Sequence, residues 1–142
     1  MQGLPIEIYW KPPRPTSPDW GDPDTVSVWI SVQKLDAAWQ LSTGDYIGAG
    51  GTGAAIEDRY NEFGEWIIST GGREHVEMPI LGLDEDSVSF TDGRHRFAWL
   101  RDHGVLAIRI EVESEQQKEF ETHFGSADRH SIITSFDEGT FD

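Results

Sequence analysis

Phe90-Thr91-Asp92-Gly93-Arg94-His95-Arg96-Phe97-Ala98-Trp99-Leu100-Arg101-Asp102-His103-Gly104 marks the place where the periodicity of this chain changes. Just before it, Val88-Ser89-Phe90 closes an apolar alternation with the two-residue period of a strand. Asp92-Gly93 predicts a turn, and a short helix follows with Phe97 and Leu100 three apart on one face. Gly104 is its expected stop, because glycine takes the left-handed conformation at little cost. A second apolar strand, Val105 to Val112, comes next. The unit reads strand, turn, helix, strand.

Its chemistry lies where the turn meets the helix. Backbone N–H groups of a first helical turn lack intrahelical partners, and the helix dipole favours negative charge in front of them. Arg94 and Arg96 add formal positive charge at the same place, which suits a phosphate or another oxyanion. The same residues also suit a solvated surface paired with Asp92 or Asp102, so local physics leaves both readings open.

A wider pattern surrounds this turn. Met78-Pro79-Ile80-Leu81-Gly82, then Val88 to Arg96, then Gly104 and Ile108-Arg109-Ile110 resemble the ParB/sulfiredoxin-like superfamily, as does the opening strand Trp29-Ile30-Ser31-Val32 with its following Leu35. Small plasmid-encoded fertility-inhibition factors with an Asp-Gly-Arg-His-Arg turn are the most similar branch. The resemblance implies a turn and helix start that hold nucleotide or nucleic-acid phosphate. It also implies DNase or ATPase activity and interference with conjugative DNA transfer. Two departures limit it. Sulfiredoxins carry a Cys just before the His-Arg pair, where this chain has Arg94, and with no Cys anywhere thiol chemistry on sulfinic acids is excluded. Segregation-type ParB proteins also carry DNA-reading and dimerisation domains after this module, and neither is expected here.

The expected fold is α+β: one ParB/sulfiredoxin-like domain over residues 1–142, a small mixed sheet with packed helices. A chain of 142 residues with six Trp and seven Phe has the apolar surface for a real core. The absence of Cys fits a reducing compartment. No apolar run is long enough to span a bilayer, so a cytoplasmic bacterial protein is expected. The formal net charge of -15 argues against broad non-specific binding to nucleic acid, because phosphate is repelled at long range. It is compatible with a small basic site inside an acidic shell, with an acidic surface that docks on a basic partner, or with simple solubility.

Leu4, Ile6 and Ile8 alternate as a short strand, and residues 1–24 end in a Pro-rich arm with Pro12, Pro13, Pro15, Pro18 and Pro23. Val26, Val28, Ile30 and Val32 alternate as a half-buried strand, and Asp36 to Leu41 predicts one helical turn anchored by Trp39. The Gly-rich run Gly44 to Gly53 lacks both the P-loop ending and the dinucleotide spacing, and is expected to be a mobile loop near the site. Ala54 to Ile68 predicts the longest helix, with Ile56, Tyr60, Phe63 and Ile67 on its apolar face. Glu57 and Asp58 are expected on a solvated face of that helix. A turn over Ser69 to Arg73 leads to strands at Ile80–Leu83 and Val88–Phe90, joined by the acidic turn Asp84-Glu85-Asp86-Ser87. Glu113 to Phe124 predicts a surface helix with Phe120 and Phe124 at i, i+4 spacing, ended by Gly125. Residues 126–142 form an acidic tail that holds Arg129-His130, a basic pair with no role legible in the sequence. The expected core comprises Ile30, Ile56, Tyr60, Phe97, Leu100, Ile108 and Ile110.

Two functions compete. In the first the protein is an enzyme acting on phosphate esters, a nuclease or a nucleotide hydrolase. Gly93, Arg94 and Arg96 bind the phosphate, since a planar guanidinium meets two phosphate oxygens at once. His95 is the candidate acid or base, and equally a residue turned inward onto a carbonyl. Asp92 is the candidate ligand of Mg²⁺ beside the phosphate, with ATP as one candidate substrate; its alternative roles are a turn residue or an N-cap. In the second function the chain is a non-catalytic acidic inhibitor or adaptor that binds a partner protein, such as a component of a conjugative transfer or secretion apparatus.

Overall fold

The computed structural model describes residues 6–12, 25–41, 46–51, 57–84 and 87–134. Outside them lie most of the Pro-rich arm, Ile56, Glu85 and Asp86 of the acidic turn, and the tail beyond Thr134.

A four-stranded sheet in the order β3-β7-β5-β6 carries the fold. Its strands are β3 (Thr25–Ser31), β5 (Ile80–Asp84), β6 (Ser87–Asp92) and β7 (Ala107–Glu113). β3 and β7 run antiparallel over seven residue pairs, β5 and β6 form an antiparallel hairpin, and β5 meets β7 in parallel at Ile80 and Glu111. The alternation of β7 buries Ile108, Ile110 and Val112 and leaves Arg109 and Glu111 half-buried. Two small pairs flank the sheet: β1 (Ile6–Ile8) with β8 (Ser131–Ile133), antiparallel, and β2 (Trp10–Lys11) with β4 (Val76–Glu77), parallel.

Four α-helices complete the described residues: α1 (Val32–Trp39), α2 (Glu57–Thr70), α3 (Arg94–Asp102) and α4 (Gln117–Phe124). The architecture is α+β, as the sequence indicates. Val32, expected to end a strand, instead opens α1. The Ser31 hydroxyl accepts from the Lys34 N–H and caps the helix, and Val32, Leu35 and Trp39 then fall on its buried face. The helix therefore starts a turn earlier than the expected Asp36 and ends at Trp39. Trp39 is an anchor: fully buried, its ring meets those of Tyr46, Phe90 and Phe97. Residues 114–116 form a 3₁₀ turn before α4, so the last helix is shorter than the expected Glu113–Phe124 span.

α2 packs across α3 at Gly64, directly over the Trp99 ring, with Phe63 edge-on to the same ring 5.7 Å away. Behind Trp99, the His103 ring stacks at 3.8 Å and 11°. The expected core residues Ile30, Tyr60, Phe97, Leu100, Ile108 and Ile110 are all buried.

Candidate functional site

The helix start at the end of β6 is built by one residue that only glycine can fill. Gly93 adopts φ 93° and ψ 11° and stands in the N-cap position of α3, and its carbonyl accepts from Phe97 N–H. A Cβ there would lie 2.8 Å from Pro79 Cβ and 2.9 Å from Arg96 Nη2, besides the cost of a left-handed backbone. Pro79 thus sets how closely the turn approaches β5. No side chain caps this helix start, so Asp92 is not an N-cap. Asp92 lies half-exposed, and Arg96 Nη2 donates to its Oδ2 at 3.4 Å.

His95 lies beside this pair, half-buried. Its Nε2 and the Nε of Arg96 are buried without a hydrogen-bond partner among the described residues. Burial depresses the His95 pKa below the ordinary 6.5, and the charges of Arg94, Arg59 and Arg96 push it the same way. The charges of three arginines therefore act on one imidazole in a chain of net charge -15. Arg59 is absent from the sequence reading. It sits on α2, between Asp58 and Glu62 in sequence, and its charge reaches His95 because α2 packs against α3.

The Gly-rich run contributes elsewhere. Its described part, Tyr46 to Gly51, is fastened to the C-terminal end of α3, not to the turn. Arg101 Nη1 donates to the Ile47 carbonyl at 2.6 Å and to Asp36 Oδ1 at 3.0 Å, and Arg101 Nε donates to Asp102 Oδ1 at 2.9 Å. Asp102 Oδ2 accepts from Gly50 N–H at 3.0 Å and from the Tyr60 hydroxyl at 2.7 Å. The Arg101 guanidinium also lies 5.6 Å from the centre of the Tyr46 ring. Burial works against that charge, but hydrogen bonds and charge from Asp102 and Asp36 outweigh it and raise its pKa. Residues 46–51 are therefore pinned at the opposite end of a nine-residue helix, about 13 Å long, from the candidate phosphate site.

A cleft of about 190 Å³ opens beside Arg96, between α2 and the β2–β4 pair. Arg129-His130 lies apart from it: His130 Nδ1 meets Glu7 Oε2 at 2.7 Å, and Arg129 donates to the Ser126 carbonyl. The Glu7 contact raises the His130 pKa and ties the start of β8 to β1. Among the described residues no three His, Asp or Glu side chains gather as a metal site, and no helix is long and apolar enough to cross a membrane.

No family model matches the sequence, and no curated protein matches it. Among solved structures, the chain is similar to a crystal structure of Oncogenic Suppression Activity Protein, a plasmid fertility inhibition factor, in a gold(I) cyanide derivative. The two share 21% identity over 95% of this chain and 80% of that one, with a TM-score of 0.54. At that identity the likeness is one of fold.

Proposed function

We propose that this chain is a ParB/sulfiredoxin-like fertility-inhibition protein that binds nucleotide or nucleic-acid phosphate at the Asp92–Arg96 turn and so interferes with conjugative DNA transfer. The observation that carries the reading is a helix start with no side-chain cap whose first turn bears Arg94 and Arg96, with His95 Nε2 and Arg96 Nε buried and without a hydrogen-bond partner among the described residues. The fold shared with a plasmid fertility inhibition factor agrees with it. Arg94, Arg96 and the first N–H groups of α3 hold the phosphate. A neutral imidazole there is ready to accept a proton from a nucleophile or to donate one to a leaving oxygen.

Asp92 brings one carboxylate. Mg²⁺ is commonly held by one or two carboxylates plus substrate phosphates, so Asp92 suits it only when phosphate completes the shell. Its contact with Arg96 favours a different role: it aims the guanidinium at the anion. Asp92→Asn then weakens anion binding. Were metal holding its role, the same substitution would abolish Mg²⁺-dependent cleavage of DNA or ATP and leave metal-free anion binding intact or stronger.

An NMR titration of His95 tests the site directly. The folded protein holds this ring below 6.5 while the unfolded chain does not. Acid therefore protonates the unfolded chain first, and the stability that neutral His95 allows is complete above about pH 6.5 and lost as pH falls. A bound anion reverses the local charge, so inorganic phosphate or ADP should raise the His95 pKa. Arg96→Ala should weaken that binding by about tenfold to a hundredfold, the range for a hydrogen bond to a charged group. Lys34→Ala, on α1, should leave it unchanged. A His95 titration indifferent to both ligands would overturn the phosphate site.

A further inference from the structure

The four-stranded sheet has a second face on which none of the helices packs. Its inward side, with Val28, Ile30, Ile108 and Ile110, shares one core with Leu35 of α1, Phe97 of α3 and Phe120 of α4. On the outward side the register sets Trp29 beside Arg109, Ser27 beside Glu111, and Glu111 beside Ile80. All five are half-buried. A solvated sheet face carries polar side chains, yet this one has a tryptophan and an isoleucine near its middle. Among the described residues, neither Trp29 nor Ile80 belongs to the core or packs against it. The charges of the face are balanced. Thr25 to Ser31 holds no charged residue, in a chain with 26 acidic and 11 basic ones. Arg109 and Glu111 stand two apart on β7. Arg109 Nε donates to Ser27 Oγ at 2.9 Å, and Glu111 Oε2 accepts from Thr25 Oγ1 at 2.9 Å. Neither charge has an ion-pair partner among the described residues.

From this we infer that the outward face seats a second copy of the chain, turned end for end so that Arg109 of each copy meets Glu111 of the other beside Trp29 and Ile80. A two-fold axis crossing β7 between Arg109 and Glu111 gives that arrangement, because a cation and an anion on one strand are complementary to the same strand reversed. Charge also selects the place. Two copies of net charge -15 repel one another, so they meet where one cation balances one anion. The helices lie on the other side of the sheet, so the turn at Gly93 stays outside the interface in both copies. Four strands spaced about 4.8 Å apart and about 20 Å long offer a face of about 400 Å². That is half of the roughly 800 Å² that each partner gives to a standard interface. The dimer is therefore weak, with an expected dissociation constant of about 10 μM to 1 mM.

Analytical ultracentrifugation of the full chain at fixed salt, over a series of protein concentrations, tests this. The wild type should pass from monomer to dimer within that range. Arg109→Glu and Glu111→Arg should each weaken the dimer by at least about a hundredfold, because each sets like charges against one another twice in a two-fold interface. An equimolar mixture of the two single variants should dimerise again, since all cations then stand on one chain and all anions on the other. The double variant Arg109→Glu/Glu111→Arg should also recover, as it only exchanges the two charges. Trp29→Ser should weaken the dimer without changing the response to charge. Both charged side chains are half-buried on the sheet surface, so their variants are expected to fold, and melting temperatures check that. A wild-type chain still monomeric at about 1 mM would overturn the second copy and leave the face to a different partner. A dimer that keeps its affinity in both single variants would place the contact elsewhere and overturn the inference. So would single variants that lose the dimer without regaining it when mixed.

Discussion

Arg101→Met should lower the unfolding free energy by about 3–5 kcal/mol, the range for removing one partner from a buried ion pair. The Arg101 side chain is 12% exposed and sits between Asp36 and Asp102, which are nearly as buried. Without it two carboxylates face each other across a site that water scarcely enters. Tyr46 still donates to Asp36, and Tyr60 and Gly50 to Asp102, which places the expected loss toward the lower end. The Ile47 carbonyl loses its 2.6 Å donor at the same time. Denaturant melts should show a lower midpoint, and adding Asp36→Asn and Asp102→Asn should restore part of it, because the uncompensated charge is then gone. A loss below about 1 kcal/mol in Arg101→Met would mean that the network is a surface pair in energetic terms. The site at the other end of α3 should keep its affinity in the fraction that remains folded.

Gly64→Ala should destabilise the protein by about 2 kcal/mol, although alanine is the better helix former by nearly 1 kcal/mol. The added Cβ would lie 2.7 Å from Trp99 Cε2 and 3.0 Å from Trp99 Cδ1. Trp99 cannot yield, being fully buried with Phe63 on one side and the stacked His103 ring on another. The strain must then push α2 away from α3. That shift disturbs the packing behind the start of α3, so anion binding there should fall together with the melting temperature. A Gly64→Ala variant as stable as the wild type, as helix propensity alone would have it, would show that the contact yields.

The sequence made the sheet legible wherever one period ruled. Thr25 to Ser31 and Ala107 to Glu113 alternate cleanly, and Arg94 to Asp102 lies between a glycine turn and a glycine stop. Val32 was not legible because it satisfies both the two-residue and the 3.6-residue period, and the Ser31 cap decides between them. The two-residue β2–β4 pair leaves no pattern, since two residues cannot display a period. At the candidate site, Arg94, His95 and Arg96 could be named because they are consecutive. Arg59 could not. It is masked by acidic neighbours on its own helix, and its charge reaches His95 only because α2 packs against α3 at Gly64, which no local pattern records.

The antiparallel pairing of β1 with β8 bears on how the molecule assembles. Ile6 opposes Ile133, so the contact closes a loop of nearly the whole chain. Closure entropy for such a loop is spent before its short ladder gives anything back, whereas the β5–β6 hairpin closes over a handful of residues. The two end strands therefore join after the central sheet and helices. Their buried residues, Ile6, Ile8 and Ile133, then act mainly as a brake on unfolding, and weakening them shortens the lifetime of the native state with little effect on the speed of reaching it.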